Sequence, residues 1–373
     1  MAPRSAYAHV PFCAHRCGYC DFTVVADRLD LADRYLAAVE CETQSQLPPR
    51  EVDTLYVGGG TPTQLPIEKL DRLFDALLAW RPLAAGGEWT VEANPLDVTE
   101  PLVQRLAQRG VTRVSLGGQS FDDAKLRTLE RDHSADDLRR AVTLVKEGGI
   151  DACLDLIFAS PDESLDAWRR DLDEAIALTP QHVSTYGLTF EKGTTFWGRR
   201  ERSELAEVDD SRQRAMYVGA IDALTGAGYE HYEVSNFARP GHRSRHNLAY
   251  WSGDGCWAVG PGAARLVGPV RETNHRSTFT YLRRVETGDS PVAEREQLTT
   301  EQLAREALVF GLRRIDGVDT AAFAERYGVA VDELAGEAVA RFVRQGAMTR
   351  QGTRLKLTRD GLLVSDAMWP DLL

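Results

Sequence analysis

The chain has 373 residues, 43% of them hydrophobic, and a formal net charge of −12. That length supports a large buried core, with one large domain and a smaller one. The acidic balance excludes the basic surface of a nucleic-acid-binding protein, so we expect no nucleic-acid partner. The N-terminal residues lack the apolar run of a signal peptide, and no stretch is long and apolar enough to span a membrane. We therefore expect a cytoplasmic protein.

Short β-branched runs alternate with helical patterns through the first 235 residues. The predicted strands are Ser5–Val10, Val52–Val57, Trp89–Ala93, Thr112–Leu116, Asp151–Phe158 and His182–Leu188, with Tyr229–Val234 as a candidate seventh. Apolar residues at three- and four-residue spacing predict helices at Leu31–Gln46, Ile67–Trp80, Glu100–Arg109, Asp136–Gly148, Leu165–Leu178 and Asp210–Gly226. Repeated β–α units predict an α/β fold with its site at the carboxyl ends of the strands. The period alone does not separate an incomplete barrel from an open doubly wound sheet.

The pattern changes after residue 236. Residues 237–275 are rich in Gly, Trp, Arg and His and show little periodicity. The later segment predicts helices at Glu301–Arg313, Asp319–Tyr327 and Val331–Gln345, then a hairpin at Ala347–Thr358. Three helices and a hairpin resemble a winged-helix module, for which a packing role suits this acidic chain better than DNA binding. We therefore expect three regions, 1–235, 236–299 and 300–373.

Three of the six cysteines form a CxxxCxxC motif directly after the first predicted strand, as Cys13, Cys17 and Cys20. Three thiolates can bind three irons of a cubane cluster and leave the fourth iron open. Zinc is the alternative, but it needs a fourth Cys or His, and His15 lies awkwardly between two ligands. The other cysteines are expected to be small buried hydrophobes. They are Cys41, Cys153 and Cys256.

A run of three glycines follows the second predicted strand, in Gly58-Gly59-Gly60-Thr61. Consecutive glycines let the backbone approach a ligand closely and adopt positive φ, although alone they indicate only a tight turn. Polar residues occur at or after the ends of the following strands. They are Glu92, Gln119, Arg131 and Asp155.

In this order, the motifs resemble the radical S-adenosylmethionine (SAM) superfamily, and nearly the whole chain resembles its coproporphyrinogen dehydrogenase/HemW family. The resemblance implies a partial (β/α)6 barrel with a smaller, mainly helical C-terminal domain. It also implies a [4Fe–4S] cluster on Cys13, Cys17 and Cys20, with SAM bound at the open iron. The SAM contacts that it implies are Tyr7, Tyr19, Gly59, Gly60, Thr61, Glu92, Gln119, Arg131 and Asp155.

Two features distinguish the branches of that family. The dehydrogenases carry a fourth cysteine two residues after the third, and they have a long N-terminal extension. This chain has Phe22 at the position of that cysteine, and only six residues precede Tyr7. Both features resemble the haem-chaperone branch. His246-Asn247-Leu-Ala-Tyr250-Trp251 resembles an HNxxYW motif associated with haem binding, so the resemblance makes His246 the haem residue. By spacing alone, a hydrogen-bonded core histidine is the better interpretation.

The resemblance thus implies a protein that binds haem and hands it to acceptor proteins, respiratory ones included. An electron donor is a further expected partner, and a peripheral contact with a membrane stays open. The alternatives are an oxygen-independent coproporphyrinogen III oxidase and a radical SAM enzyme with another substrate.

Two departures from the family pattern bear on the pocket. A usual GAHS reads Gly262-Ala263-Ala264-Arg265, and a usual DLIxGLPxQ has Ala159 in place of its glycine. We expect the cluster and SAM at the carboxyl ends of the strands, covered by residues 237–275.

Overall fold

The computed structural model describes residues 2–46 and 48–373. Six parallel strands lie side by side in chain order: β1 Ser5–Val10, β2 Val52–Gly59, β3 Leu83–Ala93, β4 Arg113–Gln119, β5 Asp151–Phe158 and β6 His182–Gly187. The main helices are α1 Ala32–Ser45, α2 Ile67–Trp80, α3 Glu100–Arg109, α4 Ala135–Glu147, α5 Leu165–Leu178 and α6 Asp210–Gly226. A doubly wound sheet would reverse its strand order at a switch point, which these six strands do not. The predicted partial (β/α)6 barrel is confirmed.

Three short strands extend the sheet at its two edges. Trp257–Val259 pairs with β1 in parallel, and Asn236–Ala238 pairs with β6 antiparallel. Glu230–Glu233, the candidate seventh strand, pairs with Asn236–Ala238 and lies at the far edge. The sheet is therefore mixed, and its parallel part holds the six β–α units.

Local chemistry explains where the helices begin and end. Before α4, the Ser134 side chain accepts from the backbone N–H of Asp137, whose carboxylate accepts from the backbone N–H of Ser134. This reciprocal capping box satisfies two N–H groups that the first helical turn leaves unpaired. After α3, Gly110 adopts a left-handed conformation at φ 86°, the usual glycine stop.

The later part of the chain forms two further structures. Ala264–Val267, Val270–Asn274 and Val292–Gln297 form a three-stranded antiparallel sheet, interrupted by the helix Thr278–Glu286. The C-terminal module contains the helices Thr300–Leu312, Thr320–Tyr327 and Val331–Arg344, with a small sheet of Val318–Asp319, Met348–Gln351 and Arg354–Leu357. The predicted helices and hairpin are thus present.

The two larger hydrophobic clusters among the described residues belong to the barrel and to the C-terminal module. The barrel core continues past residue 235 and includes Phe237, Val259 and Tyr281. A second core belongs to the C-terminal module and contains residues such as Leu308 and Phe342. Residues 236–299 therefore pack into the same core as the barrel.

Residues 237–276 contact both ends of the barrel. The short helix Arg245–Trp251 lies at the amino ends of the strands, where His246 contacts Thr54, the third residue of β2. At the carboxyl ends, Arg276 donates to the backbone oxygen of Asp21 over 2.6 Å, beside the cysteine motif. The prediction that all of 237–275 covers the carboxyl ends is therefore wrong for the helix Arg245–Trp251, which forms a floor.

The isolated cysteines occupy different environments. Cys153 is buried and Cys256 partly buried, but Cys41 is exposed on α1, so the expectation of burial is wrong for Cys41. In the part of the chain that the structure describes, no helix has the length and apolar character needed to cross a bilayer.

Candidate functional site

A cavity of about 450 Å³ opens at the carboxyl ends of the strands and extends down the barrel. Most of the residues predicted for the site line it: Cys13, Cys17, Tyr19, Cys20, Gly59, Gly60, Thr61, Glu92, Gln119, Arg131 and Asp155. The structure therefore brings together on one surface residues from the N-terminal loop, from four strands or the loops that follow them, and from the segment before α4. Tyr7 and His246, which were also predicted, do not line it.

The wall of the cavity is polar because the inward-facing positions of the strands are polar. Strand side chains alternate between the two faces, so Thr90 and Glu92 of β3 share a face, as do Ser184 and Tyr186 of β6. A packed barrel is filled by branched apolar side chains instead. Sequence reasoning missed several of these residues, whose signal is this alternation of polar residues within buried strands. They are Tyr56, Thr90, Arg113, Ser115, Ser184 and Tyr186.

The cysteine loop is tied to the glycine loop by backbone hydrogen bonds. The N–H of Gly60 donates to the oxygen of Val10 over 2.7 Å, and that of Thr61 donates to Phe12 over 2.6 Å. The Thr61 hydroxyl lies 3.5 Å from the Cys13 sulfur. These bonds fix the first cysteine against the end of β2.

The thiols respond to burial and to one nearby cation. Burial raises the pKa of Cys13 to about 11, and it also raises the pKa of Cys20. The Arg131 guanidinium donates to the Cys17 sulfur over 3.4 Å. Cys13 and Cys20 therefore stay protonated unless a cation binds them, since a nearby positive charge stabilises the thiolate. Within residues 2–46 and 48–373, no three His, Cys, Asp or Glu side chains converge in a manner suited to one metal ion.

The three glycines allow the backbone of this loop to approach its neighbours. Gly59 adopts φ 112°, and a Cβ on it would collide with the His9 ring. A Cβ on Gly58 would lie 2.6 Å from the carboxyl carbon of Glu92. Any side chain at these positions would therefore displace the loop from the cavity wall.

Two partly buried carboxyl groups face the cavity. Glu92 accepts from the Tyr56 hydroxyl over 2.7 Å and from the Gly59 N–H over 2.8 Å. Asp155 accepts from the Ser115 hydroxyl over 3.2 Å. Burial raises the pKa of Glu92 to about 7 and that of Asp155 to about 6. Both groups therefore change charge near neutral pH, and a cationic ligand would favour their ionised forms.

Gln119 and Arg131 are held in unusual states. Gln119 ends β4 at φ 63°, a region that residues other than glycine seldom occupy and that is typical of functional sites. Arg131 donates to the Gly117 oxygen over 2.8 Å, while its buried Nε has no partner among the described residues. Because a buried donor is normally paired, this unpaired Nε is unusual.

The two departures from the family pattern lie outside the cavity wall. Ala159 is buried at φ 62°, a conformation in which glycine costs least. Arg265 instead forms ion pairs with Glu42 and Glu272, at 3.4 and 2.6 Å. Ala264 is exposed, and none of these residues lines the cavity.

His246 lies at the floor of the barrel. Its Nδ1 is 2.9 Å from the Thr54 hydroxyl, and its ring centroid is 5.0 Å from that of Tyr56. Burial lowers the pKa of His246 to about 4, so the imidazole is neutral, which is the form that binds metals. Four residues along, Tyr250 is 54% exposed and packs against Phe310 of the C-terminal module.

Tyr7 belongs to β1 and lies behind the glycine loop. Its hydroxyl is 3.0 Å from Nδ1 of His9, whose Nε2 is 2.7 Å from the Thr23 oxygen. The His9 ring is the group that a side chain on Gly59 would strike. Tyr7 therefore supports the site through His9 and does not itself face the cavity.

Two sequence families match parts of the chain. The profile of the radical SAM superfamily matches residues 7–175, which include the cysteine motif and Asp155. The profile of the HemN C-terminal domain matches residues 298–364, which form most of the C-terminal module.

Curated relatives match along nearly the whole chain. A protein of Mycobacterium tuberculosis strain H37Rv, named heme chaperone HemW, is 39% identical over 100% of this chain and 95% of its own length. A Bacillus subtilis strain 168 protein of the same name is 32% identical over 98% of each chain. Among solved structures, the coproporphyrinogen III oxidase HemN from Escherichia coli matches with a TM-score of 0.87 over 100% of this chain and 90% of its own. That match has 22% identity and shows a common fold.

Proposed function

Because this chain belongs to the HemW family of the radical SAM superfamily, we propose that it binds haem through His246 and transfers it to an acceptor protein. The observation that carries this proposal is the near full-length similarity to relatives named heme chaperones, together with a neutral imidazole on the floor helix. The exposed Tyr250 of that helix offers an aromatic face to a flat macrocycle. An electron donor and a haem-accepting protein are the partners that the proposal requires.

The residues around the cavity fit the cluster and the SAM that the superfamily implies. Cys13, Cys17 and Cys20 would hold the [4Fe–4S] cluster, since three thiols on one loop leave one iron open for another ligand. The glycine loop would lie against the methionine part of SAM, because its backbone meets the cavity without side chains. Together, cluster and SAM would supply one-electron chemistry when bound.

The polar side chains would orient SAM. Arg131, which lines the cavity, would bind its carboxylate. Glu92 would accept a hydrogen bond from its amino group, and Asp155 one from its ribose. Tyr19, packed edge-on against Phe196 with ring centroids 6.1 Å apart, would help exclude water next to Cys20. Gln119 would supply a further polar contact at the end of β4, and Thr61 one beside Cys13.

Haem titration of the anaerobically reconstituted protein tests the proposal. We expect saturable binding that weakens strongly in His246→Ala. A matched control is His242→Ala, because His242 lies on the same segment, bound to Asp151 over 2.7 Å, but away from the motif. Binding that is lost equally in both variants, or in neither, would contradict the assignment of His246.

The same sample should be assayed with coproporphyrinogen III. The fold match to the coproporphyrinogen oxidase makes decarboxylation the second candidate activity. Phe22 stands where that branch carries its fourth cysteine, and it is 61% exposed at the mouth of the cavity. We expect no turnover, and a decarboxylated product would replace the haem-transfer proposal with the enzymatic one.

A further inference from the structure

Two neighbouring strands hold His246 at the floor of the barrel. Thr54 of β2 and Glu88 of β3 are direct register partners. The Thr54 hydroxyl lies 2.9 Å from Nδ1 of the imidazole. The carboxylate of Glu88 accepts from the backbone N–H of His246 over 3.0 Å and from that of Arg245 over 2.9 Å. One strand thus contacts the ring, and the next contacts the backbone that carries it.

The contact with Thr54 determines which ring nitrogen remains available. A neutral imidazole has one N–H and one lone pair, and a metal binds the nitrogen with the lone pair. The threonine hydroxyl can accept from Nδ1–H or donate to the Nδ1 lone pair, and either bond engages Nδ1. No described residue forms a hydrogen bond with Nε2. Nε2 is therefore the ring nitrogen that stays available to a metal ion.

Glu88 is itself fixed in place. Its carboxylate lies 3.6 Å from the buried guanidinium of Arg113, and the Ser244 hydroxyl donates to it over 3.3 Å. Both Thr54 and Glu88 are buried, at 2% and 7% exposure, so water competes little for these bonds. The helix has its own cap as well, because the Ser244 hydroxyl accepts from the Asn247 N–H. Ser244 leaves the N–H groups of Arg245 and His246 unpaired, and Glu88 accepts from both, so it holds the backbone that carries the imidazole.

We propose that Thr54 and Glu88 are positioning residues for haem binding, with Thr54 fixing the ring orientation of His246 and Glu88 fixing its backbone. This inference rests on the proposed function, in which His246 contacts the haem iron. Residues that hydrogen-bond to a metal-binding histidine fix the orientation of its ring. Losing such a residue typically lowers metal affinity about 10–100-fold.

The test compares Thr54→Val with Thr54→Ser in the full-length reconstituted protein. Valine keeps the shape and removes the hydroxyl, whereas serine keeps the hydroxyl. We expect haem to bind about 10–100-fold more weakly to Thr54→Val, with a shifted Soret band, and to bind Thr54→Ser within a few-fold of wild type with an unshifted band. A smaller loss is expected for Glu88→Gln, which keeps one of the two accepting oxygens.

The outcomes separate this inference from the function on which it rests. If His246→Ala loses haem while Thr54→Val binds like wild type, the positioning role is overturned and the proposed function stands. If Thr54→Val and Thr54→Ser weaken haem binding equally, packing and not the hydroxyl is responsible, and the inference is again overturned. If His246→Ala binds haem like wild type, the proposed function itself fails. Cluster iron content and the melting temperature identify any variant that has simply misfolded.

Discussion

The ring of Tyr56 lies 5.0 Å from the imidazole of His246, measured between centroids. Its hydroxyl donates in the other direction, to Glu92 over 2.7 Å. One side chain therefore contacts both a carboxylate of the cavity wall and the histidine of the floor. The site at the carboxyl ends and the floor helix are thus joined by direct contacts.

Removing that hydroxyl should weaken the cavity wall. In Tyr56→Phe, Glu92 loses one of its two donors, and a buried acceptor left without its partner costs about 1–3 kcal/mol. We expect a lower free energy of unfolding and weaker SAM binding, measured by chemical denaturation and calorimetry. Tyr186→Phe is the control, since Tyr186 lines the same cavity from β6. Equal effects in the two variants would contradict a specific role for the bond between Tyr56 and Glu92.

Glu92 should make stability depend on pH in a defined direction. Burial raises its pKa from 4.5 to about 7, so between these values the folded chain binds more protons than the unfolded chain. The contribution of this group is therefore present at low pH and is lost as pH rises through 7. Glu92→Gln removes the titration, so its melting temperature should increase relative to wild type between pH 5 and pH 8. If the difference in melting temperature between Glu92→Gln and wild type stays constant across that pH range, Glu92 does not titrate there.

The cysteine motif should be required for iron. Cys17→Ala removes one of three thiols on the cavity and should abolish most cluster iron after anaerobic reconstitution, measured by iron and sulfide analysis and by absorbance. Cys41→Ala is matched to it, because Cys41 is an exposed cysteine on α1 and does not line the cavity. Full iron in Cys17→Ala would remove the basis for the cluster assignment.

Ala159 should be improved by glycine. At φ 62° an alanine is strained by roughly 1 kcal/mol, and Ala159→Gly should raise the free energy of unfolding by about 0.5–1 kcal/mol. The control is Ala167→Gly in the first turn of α5, which should lower it by a similar amount. If urea denaturation shows both variants destabilised alike, the backbone at residue 159 is not strained in solution.

The sequence predicted the parts of this protein that depend on local patterns. The six strands follow β-branched runs, and the cysteine and glycine loops are short motifs whose spacing places them after β1 and β2. The inward-facing polar residues were not predicted, because a single Thr90 or Ser184 indicates no function until its strand is known to line the cavity. Their signal is spread over four strands and no single one is distinctive.

The position of His246 could not be predicted because it depends on contacts far away along the chain. Its partners Thr54 and Glu88 are 192 and 158 residues distant. The strand Trp257–Val259 that follows has three residues, too few for a period to be read from the sequence. Nothing local therefore distinguishes a segment that forms the floor from one that covers the mouth.

The strand Trp257–Val259 runs alongside β1 in the same direction, from the floor toward the cysteine loop. A single stretch of chain thus reaches both ends of the barrel. Under the proposed function, electrons would enter at the carboxyl ends of the strands, and haem would be exchanged at the floor. An electron donor and a haem acceptor would then not compete for one docking surface, and both could be present during the same cycle.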